Sequence, residues 1–339
     1  MHPLLTIVVP CYNEQEVLRE TMKQLTSVLD DLAAEGLVSN ESKLLFVDDG
    51  SKDRTWPIIV MESLNNNYVT GLKLARNVGH QKALLAGLET AEAKSDCVVS
   101  IDADLQDDVA AIRHFLLKYH DGYEIVYGVR RSRETDTFFK RTTALGFYRM
   151  MSRLGIDLIP NHADFRLMSK RVLQEMSRYH ESNLFLRGII PLIGFKSAEV
   201  MYDRKERFAG ESKYPLRKML SFAFDGMTSF SIAPIRLITL LGFFLCFLSV
   251  LTGLYALIQK FFGNTQAGWT SLMISIWLIG GLQLTGIGLV GEYIGKIFVE
   301  VKKRPKYAVD IDLYSEDLSE RLHLQKNEVL TWEEIQLKR

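Results

Sequence analysis

Residues 97–107 read CVVSIDADLQD, an apolar run that passes directly into acidic and amide side chains. The same change occurs in LTIVVPCYNE at residues 5–14 and in LLFVDDGSKD at residues 44–53. Apolar runs without in/out alternation are typical of strands in a parallel sheet that is covered on both faces. Ligands bind such sheets at the carboxyl ends of the strands. The repeated pattern therefore predicts both a fold and the edge of the sheet that carries a site.

Outward from these three runs, short β-branched runs alternate with helical patterns from residue 4 to about residue 130. The sequence predicts strands at Leu4–Val9, Lys43–Val47, Tyr68–Leu74, Cys97–Ile101 and Glu124–Gly128. It predicts helices at Glu14–Leu32, from Trp56 onward, at Gln81–Ala93, near 137–154 and near 167–178. The expected fold class is α/β, with a mostly parallel, Rossmann-like sheet within residues 1–231.

The composition excludes several classes of protein. The chain of 339 residues has 41 basic and 41 acidic residues, so no net charge favours nucleic acid as a partner. Its three cysteines are isolated and form neither a CxxC motif nor a disulfide framework, which indicates a reducing compartment. The apolar run Leu4–Val9 is too short for a signal peptide and is read as a strand.

Two long stretches without charged side chains follow residue 232, Leu237–Ile258 and Trp269–Gly291, and they mark candidate spans at about 235–258 and 269–291. Each has close to the roughly 20 residues that cross a hydrocarbon core of about 30 Å. They predict a transmembrane hairpin within 232–298, although two buried helices of a large soluble protein would also be apolar. Basic residues flank the outer ends of both stretches, whereas the short loop between them has only Lys260. The positive-inside rule then places both termini in the cytoplasm, with a basic juxtamembrane segment at 204–231 and a charged tail at 299–339.

The motif Asp102-Ala103-Asp104 follows the predicted strand Cys97–Ile101. Two carboxylates at i and i+2 on a strand-end turn can converge on one hard divalent cation, such as Mg²⁺ or Mn²⁺. Gln106 is spaced so that its amide oxygen can join them. Acidic pairs at strand ends are also common as turn and cap residues, so this motif alone leaves both interpretations open.

The two other strand ends carry further candidates. Adjacent Asp48 and Asp49 are costly to place together without a ligand or cation, while Ser51 or Asp53 can cap the following helix. At the end of the first strand, Tyr12 can pack against a base and Glu14 can accept hydrogen bonds from it. Asn13 is equally suited to starting a helix.

Several motifs together resemble family-2 glycosyltransferases with the GT-A fold. They are VVPCYNE, VDDGSKD, LARNVGHQKALLAG and SIDADLQD, in this order. The later stretches ADFRLMSK and RFAGESKYPLRKM, followed by two apolar spans, look like the polyprenyl-phosphate branch of that family. This branch includes bactoprenol glucosyltransferases and is related to dolichyl-phosphate mannose synthase. The resemblance extends to about residue 306. Many relatives have an aromatic residue where this chain has Val78.

The resemblance implies roles for individual residues. The nucleotide-sugar would be held by Pro10, Tyr12, Asn13, Glu14, Asp48, Asp49, Asp102 and the loop Arg76–Lys82, including Gly79. Asp102, Asp104 and Gln106 would bind Mg²⁺ or Mn²⁺. Asp164 would face the acceptor and the anomeric carbon, and it is named as catalytic with Asp104 and Asp49. The acceptor phosphate would be bound by Arg130, Arg141 and Lys213.

The implied reaction is the inverting, metal-dependent transfer of one sugar, glucose or N-acetylglucosamine, from a UDP-sugar to undecaprenyl or another polyprenyl phosphate. It would take place at the cytoplasmic face of a bacterial plasma membrane and supply a lipid-linked sugar for cell-envelope glycans. The family also favours homo-oligomers, including tetramers. A processive membrane polysaccharide synthase and a non-catalytic scaffold remain alternatives.

Overall fold

The computed structural model describes residues 2–131, 162–181, 186–203 and 268–315, and isolated helical positions between 235 and 258. The strands are β1 Leu5–Cys11, β2 Lys43–Asp48, β3 Val69–Leu74, β4 Cys97–Ser100, β5 Ile125–Arg130, β6 His162–Ser169, β7 Ser197–Tyr202 and β8 Val309–Asp312. The helices are α1 Leu18–Ala34, α2 Thr55–Asn65, α3 His80–Glu92, α4 Ala111–His120, α5 Lys170–Met176, α6 Leu186–Leu192 and α7 Trp269–Val301.

The strands form one sheet in the order β7-β5-β6-β4-β1-β2-β3-β8. Neighbouring strands are parallel from β4 through β1 and β2 to β3, and β5 is parallel to β7. Strand β6 is antiparallel to both β4 and β5, and β8 is antiparallel to β3. The α/β class is therefore confirmed, with a sheet that is mixed on both sides of its parallel centre.

Helices cover both faces of this sheet, as the strands without alternation predict. On one face the core contains Leu18, Leu25, Ile59 and Phe115 from α1, α2 and α4. On the other face it contains residues from α3, α5 and α6, among them Leu84, Leu88, Val172 and Ile190. The central strands thus lie between two apolar cores, one on each face of the sheet, and the polar residues follow where these strands end.

The prediction of a helix at 167–178 is wrong for its first three residues. Leu167, Met168 and Ser169 belong to β6, and the helix spans only Lys170–Met176. Pairing with β4 and β5 on both sides overrides the helical pattern there, and Leu167 and Met168 are fully buried. The hydroxyl of Ser169 then accepts a hydrogen bond from the backbone nitrogen of Val172, which caps the helix.

Other boundaries also shift. Helix α1 begins at Leu18 rather than Glu14, because residues 12–16 form a loop that carries polar side chains. The sequence did not predict the helices α4 and α6 or the strands β6, β7 and β8. The predicted helix near 137–154 lies outside the described residues.

Strand β8 comes from residues that the sequence assigns to the charged tail. Contacts between Cα atoms divide the molecule into two compact units, and residues 305–315 belong to the unit that holds the sheet. Leu313 and Tyr314 are buried in that unit. The tail segment 299–339 therefore contains a strand of the α/β sheet.

The second unit contains α7, which includes the whole predicted span 269–291. The predicted span 235–258 lies mostly outside the described residues. In the part of the chain that the structure describes, no helix combines the length and the apolar character that crossing a membrane requires.

Candidate active site

The polar residues singled out in the sequence lie at one edge of the sheet, where the parallel strands end. Strands β1, β2 and β4 end there with the residues that lead to Asn13, Asp49 and Asp102. Strand β6 runs in the opposite direction, with Arg166 paired to Ser100, so Asp164 lies just beyond the end of β4. The carboxyl edge of the sheet is thus the candidate site.

The loops after β1 and β2 hold each other through side chain to backbone hydrogen bonds. Asn13 has a positive φ of 54°, its nitrogen donates to the Ser51 hydroxyl over 3.0 Å, and its amide oxygen accepts from the Lys52 nitrogen over 2.9 Å. The backbone nitrogen of Glu14 donates to the Thr55 hydroxyl over 2.9 Å. These contacts fix the shape of the edge beside the predicted nucleotide residues.

Asp49 connects β2 to the loop that precedes α3. Its two carboxylate oxygens accept hydrogen bonds from the backbone nitrogens of Val78, over 2.7 Å, and Gly79, over 2.9 Å. Gly50 lies so close to the same loop that a Cβ would be 2.7 Å from the Arg76 carbonyl carbon. The buried Asp49 carboxylate therefore shapes the loop, and its predicted catalytic role stays a prediction.

Asp48 is fully buried beside it. Its carboxylate accepts from the Ser51 nitrogen at 3.3 Å. Burial raises the pKa of Asp48 from 3.8 to about 6, although the hydrogen bonds from Ser51 and the charge of Lys73 lower it. The charged form of this carboxyl group therefore destabilises the folded protein. Because its pKa is close to neutral, the group can either donate a hydrogen bond to a bound ligand or accept one from it.

Asp102 and Asp104 follow β4, and the backbone nitrogen of Gln106 donates to Asp104 over 3.2 Å. Burial raises the pKa of Asp102, and so do the neighbouring charges of Asp164, Asp107 and Asp104, while His80 opposes them. Within the described ranges, no three histidine, cysteine or carboxylate side chains are grouped to hold a metal ion. The predicted set contains two carboxylates and one amide.

Asp164 is the centre of a charged cluster. Arg166, two residues along β6 and on the same face of the strand, donates to its Oδ1. Arg187 of α6 donates through Nε to Oδ1 over 3.2 Å and through Nη2 to Oδ2 over 3.0 Å. Gln81 donates to Oδ2 over 3.3 Å, and Nε2 of His80 lies 3.6 Å from the same oxygen.

These neighbours decide the protonation of the cluster. Burial alone would raise the pKa of Asp164, but Arg187, His80 and Arg166 hold it well below its usual range. Burial lowers the pKa of His80, yet Asp164 and Asp102 together raise it to about 9. Near neutral pH, Asp164 is therefore a carboxylate and His80 a cation, and Asp164 is unsuited to accept a proton.

Of the three residues predicted to bind the acceptor phosphate, the structure describes one, Arg130. Arg130 ends β5, and its guanidinium donates to Asp107 and to the Tyr202 hydroxyl, each over 3.2 Å. Tyr202 in turn donates to Asp107 over 2.5 Å. Arg130 is thus held by a buried carboxylate. Arg141 and Lys213 lie outside the described residues.

The remaining predicted residues lie along the same edge. Pro10 is in β1, level with Val47 of β2, and Tyr12 follows the strand as a half-buried side chain. Arg76 is exposed in the loop after β3, and Lys82 is in the first turn of α3. Their roles in binding the nucleotide-sugar stay predictions.

The contacts of His80 and Gln81 with Asp164 could not be predicted from the sequence, although both residues lie in the loop Arg76–Lys82 that the resemblance places near the nucleotide and sugar. His80 and Gln81 were within the quoted motif LARNVGHQKALLAG, and Arg166 is in ADFR, where spacing by two on a strand signals a shared face. Arg187 had no such signal, because 23 residues and no recognisable motif separate it from Asp164. Long-range packing brings it there, because Leu186 and Ile190 of α6 share a buried core with residues of α3 and β6.

Residues 6–177 match the family described as Glycosyl transferase family 2. The chain is 73% identical to "Uncharacterized glycosyltransferase YkoT" of Bacillus subtilis, over 94% of each chain. It is 39% identical to "SfII prophage-derived bactoprenol glucosyl transferase" of Shigella flexneri, over 90% of this chain and 97% of that one.

One similar solved structure is glucosyl-3-phosphoglycerate synthase of Mycobacterium tuberculosis in complex with Mn²⁺, UDP and phosphoglyceric acid. It has 19% sequence identity and a TM-score of 0.45, and the match covers 65% of this chain and 75% of that one. The family match covers half of this chain, and the curated relatives cover nearly all of it. The chain is therefore a glycosyltransferase and belongs to glycosyltransferase family 2.

Proposed function

We propose that this glycosyltransferase transfers one sugar from a UDP-sugar to the phosphate of a polyprenyl carrier, with inversion at the anomeric carbon. Glucose and N-acetylglucosamine are the favoured sugars. The lipid acceptor is supported by the 39% identity to a relative named as a bactoprenol glucosyl transferase. The product would be a lipid-linked sugar on the cytoplasmic leaflet.

The observation that carries this proposal is the distribution of charge at the carboxyl edge of the sheet. Asp102 and Asp104 lie beside a cationic group that includes His80 and Arg187, with His80 Nε2 only 3.5 Å from Asp102 Oδ1. A reaction between two phosphate-bearing substrates needs both kinds of group, because phosphoryl oxygens bind either to cationic side chains or through a divalent cation.

The residues at the end of β4 fit a divalent cation. Carboxylate and amide oxygens are the ligands that Mg²⁺ and Mn²⁺ prefer. The raised pKa of Asp102, due first to burial and then to neighbouring carboxylates, indicates negative charge that a cation would offset. Asp102 and Asp104, with Gln106, would hold the ion. When bound, it would stabilise the negative charge that develops on the departing diphosphate.

In the reaction, an oxygen of the lipid phosphate attacks C1 of the sugar and forms the new C1–O bond. The bond from C1 to the diphosphate oxygen breaks, and its electron pair leaves with UDP. A phosphate monoester has a second pKa of about 6, so the attacking group is already anionic in the cytoplasm. A general base is unnecessary, in agreement with the low pKa of Asp164.

A membrane hairpin would bring the site to its acceptor. The support comes from the two charge-free stretches at 237–258 and 269–291 and from their basic flanks. Large apolar side chains are also exposed along α7, for example Leu284 at 71%, Ile287 at 67% and Phe298 at 58%. This proposal places the α/β unit and both termini in the cytoplasm.

The test uses the full chain in detergent or vesicles with UDP-glucose or UDP-N-acetylglucosamine, undecaprenyl phosphate and Mg²⁺ or Mn²⁺. We expect one sugar per lipid, and we expect Asp104→Asn to remove the activity while the protein still folds. Polymer formation would support a processive synthase instead. No turnover with any nucleotide-sugar would favour a scaffold, and metal-independent activity would contradict the cation site.

A further inference from the structure

The carboxylate of Asp164 is fully occupied by neighbouring side chains. A carboxylate offers roughly four positions for hydrogen-bond donors. Arg166 and Nε of Arg187 donate to Oδ1, while Nη2 of Arg187 and Nε2 of Gln81 donate to Oδ2. Asp164 is also only 5% exposed. A substrate therefore cannot reach this carboxylate without displacing one of its partners.

The two arginines on Asp164 differ in access. Arg166 has no exposed surface, whereas the Arg187 side chain is 37% exposed. The guanidinium of Arg187 has more N–H groups than the two that donate to Asp164. Three of its five N–H groups are therefore not used by Asp164, and the partly exposed side chain can present them to a ligand.

The pairing with Asp164 also orients Arg187. Two parallel hydrogen bonds to one carboxylate fix the plane of a guanidinium, so less freedom is lost when it binds a second anion. Arg166 offsets the charge of Asp164 from the buried side, because its Nη2 donates to the same carboxylate. The negative charge of Asp164 is thus shared, and Arg187 keeps part of its attraction for another anion.

Other basic side chains lie close to Arg187. The ring of His80 has its Nε2 3.6 Å from Oδ2 of Asp164, the oxygen that also accepts from Arg187, and 3.5 Å from Oδ1 of Asp102. Arg130 is near enough that its charge acts on Arg187. Arg130 itself is 18% exposed and donates to Asp107, so it offers less accessible surface than Arg187 does. Arg187 is consequently more accessible than either Arg166 or Arg130, the other arginines of the cluster around Asp164.

We propose that Arg187 binds a phosphoryl group of one substrate and that Asp164 is the positioning residue that holds Arg187 in place. This inference rests on the proposed function, because it assumes that both substrates carry phosphate. The phosphoryl group has two possible sources, the monoester of the lipid acceptor and the diphosphate of the nucleotide-sugar. Both present oxygens that a guanidinium binds through paired hydrogen bonds.

The first experiment compares Arg187→Gln, Arg187→Lys and the wild-type full chain in detergent. It measures kcat and KM for undecaprenyl phosphate and for the UDP-sugar separately, and the affinity for UDP by calorimetry. We expect kcat/KM to fall roughly 10- to 100-fold in Arg187→Gln, the range for losing a charge-assisted hydrogen bond. The Lys variant keeps the charge but lacks the fork, so it should recover only part of this loss.

The two sources give different results. If the acceptor monoester is bound, KM for undecaprenyl phosphate rises while the affinity for UDP is unchanged. If the donor diphosphate is bound, the affinity for UDP falls. Unchanged kinetics and unchanged UDP affinity in both folded variants, with an active wild type, would overturn the inference. An inactive wild type would instead overturn the proposed function itself.

A matched control and a double variant separate binding from folding. Arg113 also pairs with a carboxylate, Glu35, over 2.8 Å, but on the surface of α4, so Arg113→Gln should leave the kinetics unchanged. If Asp164 acts through Arg187, then Asp164→Asn combined with Arg187→Gln should be little worse than Arg187→Gln alone. Fully additive losses, or a pH–rate profile of the wild type that loses its acid limb in Asp164→Asn, would contradict the positioning role.

Discussion

The carboxylate of Asp49 accepts a hydrogen bond from the backbone nitrogen of Gly79 over 2.9 Å, which ties the end of β2 to the loop before α3. The Val78 nitrogen donates to the other carboxylate oxygen over 2.7 Å. This loop begins with Arg76 and leads directly to His80, so it joins the predicted nucleotide residues to the Asp164 cluster. The shape of the site thus depends on a side chain that has both oxygens engaged with backbone.

We expect Asp49→Asn to destabilise the protein by about 1 to 3 kcal/mol, because one partly buried backbone N–H would face an amide NH₂ group that cannot accept from it. The KM for the UDP-sugar should rise while kcat changes little. Thermal unfolding and steady-state kinetics measure these two effects. Asp121→Asn, on the surface after α4, is the control. A large fall in kcat with normal stability would restore the catalytic role predicted for Asp49.

Gly50 tests the close approach of β2 to the same loop. Its φ is +65°, and an added Cβ would be 2.7 Å from both the Arg76 carbonyl carbon and the Asn77 nitrogen. Gly122 has a similar φ of +81°, with no atom within 4 Å of the added Cβ. Both alanine variants suffer backbone strain of about 1 to 2 kcal/mol. Gly50→Ala should therefore unfold at a clearly lower temperature than Gly122→Ala, and equal melting temperatures would contradict the close contact.

The raised pKa of Asp48 predicts that the stability of the protein depends on pH. Its pKa is about 6 in the folded protein and near 3.8 when the chain is unfolded, so the folded state binds more protons between these values. The free energy of unfolding should accordingly be highest below pH 4 with respect to this group and decrease as the pH rises to about 6. The decrease amounts to roughly 2 to 3 kcal/mol.

Asp48→Asn should remove this dependence and make the protein more stable than wild type at pH 7. Denaturant unfolding at pH 4 to 8 measures the difference between the two proteins. If Asp48 also contacts the nucleotide, the variant gains stability and loses affinity for UDP. If the free energy of unfolding changed equally with pH in the two proteins, burial would not raise the pKa of Asp48.

The fold could be predicted from sequence where local signals agreed with the final packing. The runs ending at Cys11, Asp48 and Ser100 became parallel central strands, because fully buried strands carry continuous apolar runs. The reversal of β6 could not be predicted, since its direction is fixed by pairing with β4 and β5 rather than by its own residues. A helical pattern that continued into Leu167 even pointed to the wrong element.

The site residues also differ in whether the sequence could predict them. Asp102, Asp104 and Asp164 were found because they lie within recognisable motifs. Arg187 was missed because its position depends on long-range packing, 23 residues after Asp164. Sequence also could not show that the Asp49 carboxylate is used by backbone donors, because that requires the loop conformation at Val78 and Gly79.

Strand β8 carries the last prediction, since it joins residues after α7 to the edge of the α/β sheet. Leu313 is 1% exposed, and its nitrogen donates to the Gly71 carbonyl over 2.9 Å. The adjacent Tyr314 hydroxyl lies 2.9 Å from the Thr6 hydroxyl, in the first strand of the sheet. These contacts make the segment after α7 part of the same buried core as β1 and β3.

Leu313→Ala should therefore lower the free energy of unfolding by about 2 to 5 kcal/mol, the range for removing a buried leucine side chain. Val309, in the same segment but 44% exposed, is the control, and Val309→Ala should cost less than about 1 kcal/mol. Denaturant unfolding of the full chain in detergent, followed by tryptophan fluorescence, measures both. Trp56 is a suitable reporter because it is buried against Gly71, which pairs with this segment. Similar losses in the two variants would mean that β8 lies on the sheet edge without contributing to the core.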